Sequence, residues 1–291
     1  MIHEKIYLRK NREDVYMTTY ILDQSSEFLQ DLKRPTVVIC PGGAYMMISE
    51  QEGEPVALTF NSLGYNAVVV NYSTYSEGRG GLPNPADMHR NENSIFPNPM
   101  LDIKAAMETL IENADKWHID PEQLILCGFS AGGHNCAMYS VYYKEYNMPK
   151  PFATILGYPL TDYREVYKGN GTKMCNMGIN GNEIISESDL DMLSAPLHVT
   201  KDTPQMFIWT TATDMMVPCY NSVKMAMALT ENNVPVELHM FDRGPHGISV
   251  ANESSAIINA QVKPHINQWV SLCDNWLKKR IQFEFPDKMP F

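Results

Sequence analysis

Apolar residues in this chain come in short blocks, and the spacing inside the blocks changes along the chain. Residues 6–8 and 15–22 flank a polar turn, and the second block alternates, with Val15, Met17, Thr19 and Ile21 on one side. That period of two predicts a pair of short strands. Residues 36–40 and the valine-rich 66–72 read as strands buried on both faces. Between them, 54–63 predicts a helix, with Pro55 in its first turn and Gly64 past its end. Residues 99–118 predict an amphipathic helix with Met100, Ile103, Met107, Leu110 and Ile111 on one face. A strand then ends near Gly128 and a helix runs to about Tyr146. Further strands follow at 152–156, 205–210 and 236–241, with a helix at 220–230 and a last helix at 263–281.

About eight strands, the later ones alternating with helices, predict an α/β fold with a mostly parallel sheet covered on both faces. Two stretches break the pattern. Residues 72–98 are rich in Gly, Pro and Asn and too long for a plain connector, so they read as a functional loop. Residues 161–196, which include Lys168-Gly-Asn-Gly-Thr172, read as a small cap-like insertion with one or two short helices. No repeat or linker divides the chain, so 1–291 is expected to form a single domain.

The stretch from Leu124 to His134 carries the first candidate chemistry. An apolar run ends at Gly128, and Gly128, Ser130 and Gly132 fit the pattern G-x-S-x-G. A strand-to-helix turn this sharp forces the serine into a strained backbone angle, at a cost of roughly 1–3 kcal/mol. A side chain at Gly128 or Gly132 is expected to collide with the neighbouring strand or helix. The gain is a hydroxyl exposed at a helix N-terminus, where negative charge is favoured. Taken alone, Ser130 reads equally well as a helix N-cap. Catalysis also needs a base, an acid and an oxyanion hole.

Composition narrows the options. Hydrophobic residues make up 44% of the chain, which permits a substantial core. The formal net charge is −11 with no basic cluster, so nucleic acid and anionic membrane surfaces are poor partners. No run reaches the ~20 apolar residues of a membrane span. The first ten residues lack the apolar core of a secretory signal, so a cytoplasmic location is expected. The six cysteines are scattered and form no C-x-x-C pair, as suits free thiols in a reducing compartment. His89, His118, His198, His239 and His265 lack ligand spacing, so no metal and no cofactor are expected. His134 reads as structural.

Four blocks together carry a resemblance: Pro41-Gly-Gly-Ala-Tyr45, Gly128-Phe-Ser-Ala-Gly-Gly-His134, Thr213-Asp-Met-Met-Val-Pro218 and Gly244-Pro-His-Gly247. In this order the chain resembles α/β-hydrolase esterases of the acetyl-esterase and acetylxylan-esterase-like group, related to the hormone-sensitive-lipase-like carboxylesterases. The resemblance implies a triad of Ser130, Asp214 and His246. It implies an oxyanion hole from the N–H groups of Ala131 and of the Gly42–Gly43 loop. Many relatives have H-G-G-G at that loop, whereas this chain has Pro41 and Ala44 at the outer positions. Tyr45, Tyr158, Met215 and Met216 lie beside these blocks and are candidate pocket residues.

The resemblance further implies short-chain ester substrates, acetyl first, on small molecules or oligosaccharides such as acetylated xylo-oligosaccharides. Other readings stay open at this level: an amide-bond hydrolase (formamidase or peptidase-like) on the same triad, or a hydrolase-like binding protein without catalysis. Plain structural jobs also exist: an N-cap for Asp214, a surface loop for His246 and an ordinary turn for Gly42–Gly43. The oligomeric state is open, with a homodimer among the options.

Overall fold

The computed structural model describes residues 1–24, 32–79, 81–165 and 170–281. Among the described residues, eight strands form one sheet: β1 (Lys5–Tyr7), β2 (Tyr16–Tyr20), β3 (Arg34–Cys40), β4 (Asn66–Asn71), β5 (Ile119–Phe129), β6 (Ala153–Gly157), β7 (Met206–Thr211) and β8 (Val236–Phe241). The order is β1-β2-β4-β3-β5-β6-β7-β8. The alternating strands at the start make the antiparallel edge, with β1 against β2 and β2 against β4. The remaining pairs are parallel.

Among the described residues, eight helices accompany the sheet: α1 (Glu54–Ser62), α2 (Asn98–Glu112), α3 (Ser130–Tyr142), α4 (Asn170–Ile179), α5 (Glu187–Met192), α6 (Tyr220–Glu231), α7 (Pro264–Asn267) and α8 (Trp269–Lys278). Because successive side chains of a strand point to opposite faces, each inner strand feeds two cores. Val38 and Cys40 of β3 join Met100, Ile103 and Met107 of α2 and Met225 and Leu229 of α6 on one face. Val37 and Ile39 join Phe60 of α1 and Trp269, Cys273 and Trp276 of α8 on the other. There the rings of Trp209 and Trp269 stack, with centroids 5.1 Å apart. Trp269→Ala should cost about 3–5 kcal/mol of stability. A lower urea midpoint at unchanged slope is the expected readout, and an unchanged midpoint contradicts this packing.

Three predicted helix boundaries move, and the helix expected to run to about Tyr146 ends at Tyr142. The helix expected over 99–118 ends at Glu112. Ala114 and Trp117 keep the apolar spacing and stay buried, but they do so from turns that lead into β5, with His118 at φ +49°. The last helix is split at Gln268 into α7 and α8. Within 161–196 lie α4, α5 and the 3-10 turn Tyr163–Glu165, a second 3-10 turn, Ala195–His198, straddles its end, and 166–169, which include the start of the loop-like Lys168–Thr172, fall outside the described residues. Among the described residues, no helix is long and apolar enough to cross a membrane.

The topology places the site. From β3 the chain goes outward to β4, then returns to β5 on the other side of β3. The C-terminal ends of β3 and β5 are therefore neighbours, with Cys40 paired to Gly128. Parallel sheets open a crevice where the strand order reverses in this way.

Candidate active site

β5 ends at Phe129 and α3 begins at Ser130, which takes a left-handed φ of +51°. The flanking glycines are explained by close approach. A Cβ on Gly132 would stand 2.0 Å from the carbonyl oxygen of Cys40, so only glycine lets α3 lie against the end of β3. On Gly128 a Cβ would stand 2.3 Å from the carbonyl oxygen of Gly132.

Asp214 follows β7 and His246 follows β8, and both loops fold over Ser130. His246 Nε2 is 2.8 Å from Ser130 Oγ, and His246 Nδ1 is 2.7 Å from Asp214 Oδ2. The other carboxylate oxygen, Asp214 Oδ1, accepts the N–H groups of Met216 and Val217 at 2.8 and 2.9 Å. The Asp214 carboxylate is fully buried and the imidazole is one-tenth exposed. A buried carboxylate facing Nδ1 requires the proton there, which leaves Nε2 to accept from the Ser130 hydroxyl.

The loop after β3 supplies Gly43 at φ +120°, where a Cβ would meet the Met47 carbonyl oxygen at 2.0 Å. Ala131 follows Ser130 in the first turn of α3. Gly42, expected as a third oxyanion donor, is already engaged: its N–H donates to Glu52 Oε2 at 2.7 Å. A donor committed to a buried carboxylate is not free for an oxyanion.

The expected pocket residues separate into two kinds. Tyr45 and Tyr158 are each only 1% exposed, so they stand behind the pocket rather than in its wall. The Tyr45 hydroxyl donates to His134 Nδ1 at 2.6 Å, and His134 Nε2 donates to the Leu193 carbonyl at 2.8 Å. The Tyr158 hydroxyl donates to Glu52 Oε1 at 2.5 Å and accepts the Ser249 N–H at 2.9 Å. Burial, followed by the Glu52 charge, pushes this phenol well above its usual range, so it remains an O–H donor. Met215 and Met216 are 78% and 64% exposed beside Asp214.

His134, fully buried, is held down to about 4 by desolvation. Its folded-state pKa lies below the unfolded value near 6.5, so its contribution to stability is present above pH 6.5 and lost as pH falls toward 4. Unfolding free energy should drop across that window by on the order of 3 kcal/mol. His134→Gln should flatten this dependence in urea titrations at pH 7 and pH 5. An equally steep loss in the variant would place the acid sensitivity elsewhere.

Glu52 escaped the sequence reading. Nothing in Glu50-Gln-Glu-Gly-Glu54 separates a buried acid from a solvated one, yet Glu52 is 2% exposed. Burial raises its pKa, while the bonds from Tyr158 and Gly42 and the nearby His246 oppose that rise. Beyond the same loop lies a cleft of about 830 Å³, lined by Glu13, Tyr16, Met47, Gln51, Asn71 and Glu77 among others, but not by Ser130 or His246. Among the described residues, no cluster of three or more His, Cys, Asp or Glu could hold a metal ion.

Comparison with known proteins agrees with this architecture. The BD-FAE family model matches residues 26–229. The chain is 32% identical over 227 residues to endo-1,4-beta-xylanase B of Butyrivibrio fibrisolvens, covering 77% of this chain and 34% of that protein. It is 25% identical over 248 residues to the acetylxylan esterase of Xylanibacter ruminicola, covering 83% of this chain and 45% of that protein. The chain thus spans less than half the length of either curated relative. Solved structures match over nearly their whole length. A carboxylesterase from Lactobacillus plantarum superposes with a TM-score of 0.82 at 26% identity, covering 96% of this chain and 98% of that one. An acetyl ester-xyloside bifunctional hydrolase from Caldicellulosiruptor lactoaceticus gives 0.75 at 28% identity, covering 95% and 96%. With well over half of its length matched by the family model, the chain belongs to the BD-FAE family, and its sheet and helices are those of α/β-hydrolase esterases.

Proposed function

We propose that this chain is a serine carboxylesterase that removes short acyl groups, acetyl first, through an acyl-enzyme on Ser130. The observation that carries the reading is the unbroken line of hydrogen bonds from Ser130 Oγ through His246 to Asp214. His246 takes the hydroxyl proton as Ser130 Oγ bonds to the ester carbonyl carbon, and the N–H groups of Ala131 and Gly43 receive the oxyanion. His246 then gives that proton to the departing alcohol. Water repeats the sequence on the acyl-enzyme and releases the acid. Every step is proton transfer and acyl transfer between this chain's side chains, the ester and water, so the reading invokes no cofactor.

Two relatives support acetylated oligosaccharides as substrates: one is named an acetylxylan esterase and another an acetyl ester-xyloside hydrolase. In this reading 1–291 is one domain and 161–196 caps the site, with α4 packed closely enough that a Cβ on Gly178 would meet Met46 Cε at 2.4 Å. The cysteines carry free thiols, most of them buried, as suits the cytoplasm.

The test is a rate series on p-nitrophenyl esters of increasing acyl length, beside acetylated xylo-oligosaccharides. Expected are the highest kcat/KM on acetyl, a decline with length, and acetate release from the oligosaccharides. Faster turnover of matched anilides than of esters would support the amide-hydrolase reading instead.

A further inference from the structure

The 3-10 turn Glu50–Glu52 follows the oxyanion loop, and its Gln51 reaches the loop that carries His246 directly while its Glu52 reaches it through Tyr158. Gln51 Nε2 donates to the Gly247 carbonyl at 2.7 Å. Gln261 Nε2 donates to the same oxygen at 3.0 Å and to Gln51 Oε1 at 3.2 Å. Glu52 lies beneath them. One of its oxygens holds the Gly42 N–H, and the other holds the Tyr158 hydroxyl. That hydroxyl in turn holds the Ser249 N–H, and the Tyr158 ring packs edge-on against the His246 ring at 4.9 Å. Gly42 has no slack: a Cβ there would stand 2.7 Å from Glu52 Oε2 and 2.9 Å from Ser130 Cβ. The oxyanion loop directly, and the histidine loop through Tyr158, are therefore tied to one carboxylate, with Ser130 packed against Gly42.

The geometry points to Glu52 as a positioning residue that fixes the spacing between the oxyanion loop and the His246 loop, so that both address Ser130 together. This rests on the esterase reading above. A buried carboxylate costs several kcal/mol, and an apolar side chain fills a core more cheaply. What an apolar group cannot do is accept two donors from opposite sides. Gly42 N–H and Tyr158 O–H come from different segments of the chain, and each needs an acceptor in a dry site. A glutamine of the same shape has one oxygen. Its NH₂ would face either the Gly42 N–H, donor against donor, or the Tyr158 oxygen, whose proton would then need a new partner. Either choice loosens one loop relative to the other and leaves the fold's apolar core untouched.

The experiment uses the full chain and an acetate ester, with Ser130→Ala run first to establish that the ester chemistry belongs to this site. That control separates failure of the esterase reading from failure of the Glu52 proposal. Glu52→Gln should lower kcat by about 10²–10³-fold, the scale of losing an oxyanion donor. KM should stay within about threefold, because an interaction made mainly in the transition state appears in kcat. Tyr158→Phe should lose about tenfold in kcat, and the double variant should be no slower than Glu52→Gln alone, since both changes break one linkage. A Glu52→Gln enzyme within about threefold of wild-type kcat overturns the proposal. So do single losses that multiply in the double variant. Should Glu52→Gln not fold, Tyr158→Phe decides: a kcat loss at constant KM sustains the linkage, and wild-type kcat overturns it.

Discussion

Ser130→Ala should lower kcat by about 10⁶-fold, the scale on which serine hydrolases lose their nucleophile. The fold offers no substitute. His246 Nε2 and the first turn of α3 converge on one oxygen, the Ser130 hydroxyl, and the packing of Gly42 and Gly132 leaves no room for a neighbour to take its place. What should survive is binding and the proposed oxyanion contacts, which hold a carbonyl but cannot form the acyl bond. The change removes the hydrogen bond to His246 Nε2, so stability should fall by no more than about 1 kcal/mol. Steady-state rates on p-nitrophenyl acetate give the kcat ratio, and a variant within tenfold of wild type would remove Ser130 from the chemistry.

Asp214→Asn should lower kcat by about 10⁴-fold at neutral pH, the scale seen when a triad acid becomes an amide. The direction follows from the bonds on this side chain. Asp214 Oδ1 accepts two backbone N–H groups, from Met216 and Val217. An asparagine must keep its single oxygen there, because turning its NH₂ toward two donors would leave both unpaired in a buried site. The NH₂ then faces His246 Nδ1 and forces it to accept, which puts the ring proton on Nε2. An imidazole in that tautomer donates to Ser130 and cannot take its proton. Geometry should be preserved while the base is disabled, so KM should change little. A loss below about tenfold would mean that Asp214 only caps the turn at Met216 and Val217.

Much of this arrangement could be read from spacing. Strands and helices announced themselves by period, and three of the four sequence blocks carry Ser130, Asp214 and His246, which lie within hydrogen-bond reach of one another. What stayed hidden was whatever depends on which way a group faces. The loop at Gly42–Gly43 shows two backbone donors in sequence, but only packing shows that Gly42 is taken by a carboxylate ten residues on. An aromatic beside a candidate block reads the same whether it faces solvent or core, and Tyr45 and Tyr158 are buried. Trp117 keeps the apolar spacing of α2 from within a turn, so periodicity runs six residues past the helix end at Glu112. Glu52 carries no signal in sequence because an acid near a helix start is ordinarily solvated, and its burial depends on Tyr158 and the His246 loop, both distant in sequence, closing over it together with the nearby Gly42.

The most direct measurement is covalent labelling of the full chain with a fluorophosphonate, followed by mass mapping of the adduct. One phosphonyl group on Ser130, absent from Ser130→Ala and much slower to form in Asp214→Asn, is the predicted result. An adduct on another residue, or none at all under conditions where the ester is hydrolysed, would contradict a nucleophile at Ser130.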